Sequence, residues 1–121
     1  MQIPKQESRF SSYLPVDILR FKRLPFLGVD SATLLDLSAH GWKLEMTSDS
    51  KISPESHRWL SIPTHLFGSS FSYKRLVLPV VCRWFDAVRF RMGGEFLNLS
   101  TFEEIALKKA IDSLELKILE R

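Results

Sequence analysis

Apolar residues in this chain come in short runs, and that constrains the fold more than any other feature. "LPVDILRF", "SATLLDLS", "GWKLEM", "HRWLSIPTHLF" and "KRLVLPVVCRWF" carry the β-branched and aromatic content, or the alternation, of strands. "AVRFRM" follows, and then "GGEFLNL", with Gly93-Gly94 available for a bend. Pro, Gly, Ser and Asp separate the runs: "LPFLGVDS" reads as a connection or hairpin, "TSDSKISPES" as a loop and "GSSFSY" as a turn. Pro79 lies inside one run and belongs on an edge strand or at a bulge, because it donates nothing to a ladder.

The last segment changes period. "STFEEIALKKAIDSLELKILER" opens with Ser100 and Glu103, or Thr101 and Glu104, at capping-box spacing. Phe102, Ile105, Ala106, Ala110, Ile111 and Leu114 then fall at helical intervals as a core-facing stripe, over a helix spanning 100–119. Leu116, Ile118 and Leu119 add apolar surface that either packs on a partner chain or covers the end of a small barrel. Several short strands before one terminal helix specify a mainly β chain, an antiparallel sheet or barrel with a packed helix. With 121 residues, 45% of them hydrophobic, it is expected to form a single domain, 1–121, with residues 1–8 loose.

"MQIPKQESRF" has no apolar core segment of a secretory leader, and the longest apolar run, near Leu76–Cys82, cannot cross a bilayer. The single cysteine, Cys82, reads as a buried core residue and suits a reducing compartment. A soluble, cytoplasmic protein without membrane insertion is expected. The net charge of +3 is mild, and the basic residues fall in small groups, "RFKR", "YKR" and "RFR", with no platform for stacked bases, so no nucleic-acid partner is expected.

Catalysis finds little support. His40, His57 and His65 lack metal-ligand spacing with carboxylates, no Gly-rich phosphate loop precedes a lysine, and "GSSFS" has the wrong spacing for a nucleophile elbow. Glu103-Glu104 open a helix, where the dipole favours acids. No enzyme, metal or cofactor is expected.

"DLSAHG" offers more. Asp36 and Ser38 project to the same side of a strand end, and Gly41 permits close backbone approach or positive φ. A carboxylate and a hydroxyl suit a donor-rich ligand edge such as guanine; the same residues also suit a plain turn in which both cap backbone amides.

"LLDLSAHGWKLEM" resembles the D-x-S-x-x-G signature of the PilZ domain family, bacterial receptors for cyclic di-GMP. "VVCRWFDAVRFRMGGEFLNLSTFEEIALKKAI" is similar to the family's second half, with Val81, Trp84, Arg91, Gly93 and Phe96 at the matching places. The resemblance runs from about Arg9 onward and implies a six-stranded antiparallel barrel with a C-terminal helix. It implies a ligand site at Asp36, Ser38, His40 and Gly41, with Trp84 either touching the ligand's rings or sitting in the core.

The family's R-x-x-x-R segment is incomplete here. Arg9 fits its first position, and Ser12 or Tyr13 falls at the second. The alternative, "LRFKRLPF" around Arg20 and Arg23, leaves 36 − 23 = 13 positions before Asp36, short for two strands and their turn. Arg20, Arg23 or Arg83 are candidates to compensate. A hydrogen bond to a charged group is worth ~1.5–3 kcal/mol, and ~1.4 kcal/mol is tenfold in affinity, so the lost arginine weakens any such receptor by tenfold or more. The resemblance therefore implies either a stand-alone cyclic di-GMP receptor relaying to a partner protein, or a degenerate member acting as an adaptor in motility or type IV pili. Self-association through the C-terminal helix is a further expectation.

Overall fold

In "GWKLEM" the side chains of Trp42, Leu44 and Met46 are buried, while Gly41, Lys43 and Glu45 alternate with them on the outer face. That period of two recurs along the chain. A computed structural model describes residues 9–47, 52–67 and 74–119. Residues 1–8, read above as loose, the middle of the "TSDSKISPES" loop and the "GSSFSY" turn lie outside the described residues.

Among the described residues six strands form: β1 (Arg9–Leu19), β2 (Val29–Ser38), β3 (Gly41–Met46), β4 (His57–Pro63), β5 (Arg75–Asp86) and β6 (Arg91–Phe96). They pair antiparallel in the order β1-β2-β3-β6-β5-β4, and β4 returns to β1 to close the barrel. Helix α1 (Thr101–Leu119) follows. The barrel and its helix match the expected fold class. Leu34, Leu37, Leu44, Leu60, Ile62, Leu78, Val80 and Met92 fill the interior, each worth ~1.5–3 kcal/mol of burial.

Closure changes the place of Pro79, because a closed barrel has no edge strand. The β5–β6 ladder begins at Val80 opposite Phe96, and beyond it the Pro79 carbonyl still accepts from the Leu97 amide at 2.9 Å. The missing N–H therefore falls where the ladder has run out. Gly93-Gly94 do not bend the chain. They lie inside β6, where a Cβ on Gly94 would sit 1.9 Å from the Val81 carbonyl oxygen.

Helix α1 starts with the Ser100–Glu103 capping box: the Glu103 amide donates to Ser100 Oγ at 3.1 Å, and the Ser100 amide to Glu103 Oε1 at 2.9 Å. Its buried face is rotated from the expected stripe. Ala106, Leu107, Ala110 and Ile111 are buried, whereas Phe102 and Ile105 are 64% and 63% exposed. The barrel mouth accepts one narrow strip of the helix, and only residues four apart, plus their immediate neighbours, fit it. The side chains of Leu114, Leu116, Ile118 and Leu119 lie outside the described residues. No helix among the described residues is long and apolar enough to cross a membrane.

Candidate functional site

Two β-bulges place the candidate residues. Along β2, Ala32 and Leu34 point inward, so strict alternation would send Asp36 into the core. The β2–β3 register slips between Leu34 and Asp36, and Leu35 becomes the extra residue. Leu37 then takes the inward position, and half-buried Asp36 faces outward opposite Lys43 of β3. Along β5 the register slips between Cys82 and Trp84, opposite Gly94 and Gly93. Consecutive residues Arg83 and Trp84 are both exposed as a result, which an unbroken strand forbids.

The two bulged stretches meet across β3 and β6. Asp36, Ser38, Gly41, Trp42, Lys43, Arg83, Trp84, Gly94 and Glu95 line one open cavity of about 360 Å³. Of the sequence candidates, the structure thus gathers Asp36, Ser38, Gly41, Trp84 and Arg83. The backbone of Arg9 pairs with Ser38, and that of Ser11 with Asp36, while the side chain of Arg9 lies outside the described residues. His40 sits one step away, in a groove of about 720 Å³ between the β2–β3 turn and α1. Arg20 and Arg23 lie at the far end of the β1–β2 hairpin, beside Trp59, and do not reach this wall. The "LRFKRLPF" alternative is therefore displaced from the site, whereas the backbone of Arg9 is paired beside it.

Each candidate carries structural work as well. Buried Ser38 accepts through Oγ from the amides of His40 at 3.3 Å and Gly41 at 3.2 Å, holding the turn. Its hydroxyl proton stays available to an acceptor. Gly41 is required by the β3–β6 approach, since a Cβ there would meet the Gly94 carbonyl oxygen at 2.8 Å. One oxygen of Asp36, Oδ1, is shielded from solvent. Arg83 Nε donates to Glu95 Oε2 at 2.9 Å, and its Nη1 pairs with Glu55. These acids, Glu95 first, raise its pKa further above the ordinary guanidinium value. Trp84 is 41% exposed, with its indole lying against Gly93, where a Cβ would come within 2.5 Å of the ring. The tryptophan of the core is Trp42, whose indole N–H donates to the Glu95 carbonyl at 3.1 Å.

Sequence reasoning missed Trp42, Lys43, Gly94 and Glu95. Lys43 was findable, because it stands two residues after Gly41 on the same outward phase. Glu95 was not, because its relation to Arg83 depends on a bulge that leaves no mark in composition.

No protein-family model and no curated protein sequence matches the chain. Solved structures do. The PilZ domain with c-di-GMP of YcgR from Escherichia coli superposes with a TM-score of 0.68 at 16% identity, over 98% of this chain and 96% of that one. The PilZ domain of CeSA from a cellulose-synthesizing bacterium gives 0.65 at 16% identity, over 88% and 97%. This chain has a PilZ-like fold. A third match is the Bacillus subtilis inhibitor of motility MotI/DgrA, with a TM-score of 0.65 at 16% identity. It covers 97% of this chain, which spans about half of that protein, 53%.

Proposed function

We propose that this chain is a cyclic di-GMP receptor of the PilZ type that passes the signal to a partner protein, with no catalytic step of its own. The reading is carried by the β1–β2 register, which sets Arg9 across from Ser38 on the wall where Asp36, Arg83 and Trp84 meet. In it, Asp36 accepts from the guanine edge, the exposed face of Trp84 offers an aromatic surface, and Arg9 with Lys43 or Arg83 takes the phosphates. Arg83 would first exchange a carboxylate for the ligand. Exposed ion pairs are weak and screened by solvent, so they can yield to a charge-assisted bond to phosphate. The YcgR structure was solved with c-di-GMP on the same fold.

Isothermal titration with the dinucleotide tests the reading, on the wild type beside Arg9→Ala and Asp36→Ala. Saturable heat that either substitution weakens about tenfold or more supports it. Flat heats at high micromolar wild-type protein overturn it.

A second reading has its own observations: Ser38 Oγ is committed to the turn, and Arg83 already holds two carboxylates. In that reading the barrel is an adaptor that binds a protein without the nucleotide. Partner capture equal with and without nucleotide, and unchanged by Asp36→Ala, favours it.

A further inference from the structure

The end of the barrel away from α1 carries apolar side chains that a water-facing rim does not need. In the β1–β2 connection Phe21, Leu24, Phe26 and Leu27, and Val29 at the start of β2, are all exposed, with Phe26 at 77% and Leu27 at 57%. This connection is a built element. The Arg20 amide closes its base on the Gly28 carbonyl at 2.8 Å, and a 3-10 turn at Pro25–Leu27 is fastened by the Leu27 amide on the Leu24 carbonyl at 3.0 Å. The β5–β6 turn adds exposed Val88 and Phe90 at the same end, tied there by the Met46 amide on the Phe90 carbonyl at 2.7 Å.

Cations interleave with these side chains. Arg20, Lys22 and Arg23 stand within four residues, all exposed, with the Lys22 ammonium 5.1 Å from the Trp59 ring centroid. The ion pairs of Arg75, Arg83, Arg89 and Arg91 do not involve Arg20, Lys22 or Arg23. Asp86 and Glu45 at the same end are held by Arg89 and Arg91, and Asp30 follows the connection by two residues.

We infer that this rim docks on an anionic lipid bilayer, with Phe26 and Leu27 entering the headgroup layer and Arg20, Lys22 and Arg23 lying on the phosphates. Charge decides the occupant. The core of a protein–protein interface is depleted of charge, whereas a bilayer surface accepts aromatic tips and basic side chains side by side. Each basic side chain close to an anionic leaflet is worth about fivefold in affinity, and the wedge of two apolar residues supplies the remainder.

Cosedimentation of the full chain with phosphatidylcholine vesicles, with and without about one third phosphatidylserine, tests the assignment. The expected result is binding at least about tenfold stronger to the anionic vesicles, lost in high salt. Phe26→Ser with Leu27→Ser should weaken it about tenfold or more, and Lys22→Gln with Arg23→Gln about twentyfold. The glutamine pair keeps the test decisive if the serine pair fails to fold. Equal binding to both vesicle types, no binding, or binding that survives the glutamine pair overturns the inference. So does a wild-type dimer in analytical ultracentrifugation that the serine pair dissociates, since the rim would then be a face between copies of the chain. Nucleotide titration of the same variants should match wild type, because the rim lies at the other end of the β1–β2 hairpin from Asp36.

Discussion

Two adjacent glycines on β6 look interchangeable in sequence and are not. A Cβ on Gly94 would lie 1.9 Å from the Val81 carbonyl and 3.0 Å from the Arg83 amide nitrogen, both backbone atoms of a paired strand. A Cβ on Gly93 would instead meet the Trp84 ring, a side chain already half in solvent. Gly94→Ala should therefore destabilise the protein by about 3 kcal/mol in urea titration, since the β5–β6 ladder itself must move. Gly93→Ala should lose no more than about 1 kcal/mol but should displace the indole, seen as changed tryptophan emission and as weaker nucleotide binding if Trp84 contacts the ligand. Ser38→Ala takes the acceptor away from two amides while leaving Asp36 in place. A stability loss of about 1 kcal/mol is expected, measured in the same titration. These positions show what the motif letters conceal: "DLSAHG" was legible as a site or as a turn, and its serine is occupied with the turn whatever else it binds.

At the scale of elements, strand positions could be read from alternation and turn residues, and the capping box from Ser100 and Glu103 alone. What sequence left hidden was phase. The bulges at Leu35 and Arg83 arise from how neighbouring strands pair, and only pairing tells that Asp36 turns outward or that Arg83 and Trp84 share a face. The helix shows the same gap. Its period was clear, but its apolar residues run more than halfway round, and the barrel mouth chooses which of them to bury. Leu107→Ala should accordingly cost about 3 kcal/mol in thermal or chemical unfolding, while Ile105→Ala should change stability by less than about 0.5 kcal/mol. The opposite ranking would mean that α1 docks through the stripe that spacing suggests. Ser100→Ala, which removes half of the capping box, should cost about 1 kcal/mol and fray the first turn.

Across the whole molecule, the strands cooperate because closure leaves none of them a free edge. The sequence indicated a barrel by its short strands and terminal helix, and the resemblance supplied the strand count; strand order was not written in it, since β6 enters between β3 and β5 against chain order. Cys82 offers a probe of that cooperativity. It is a free thiol buried on β5, and β5 pairs with β4 on one side and β6 on the other. Burial is the first cause that raises its pKa above the ordinary 9.0, and backbone hydrogen bonding at Trp84 only partly opposes this. A raised folded-state value means that the thiol's contribution is fully present below the unfolded pKa and is lost as pH climbs through the folded one. Stability should therefore hold to about pH 9 on this account and fall above it, an effect that Cys82→Ala abolishes. Below that range the thiol can be alkylated only when the barrel opens. If β5 separates from its neighbours only in global unfolding, the labelling rate should follow the unfolding equilibrium with the full denaturant dependence of the urea transition. Labelling with a small denaturant dependence would instead identify local parting at the β5 bulge, the segment that presents Arg83 and Trp84.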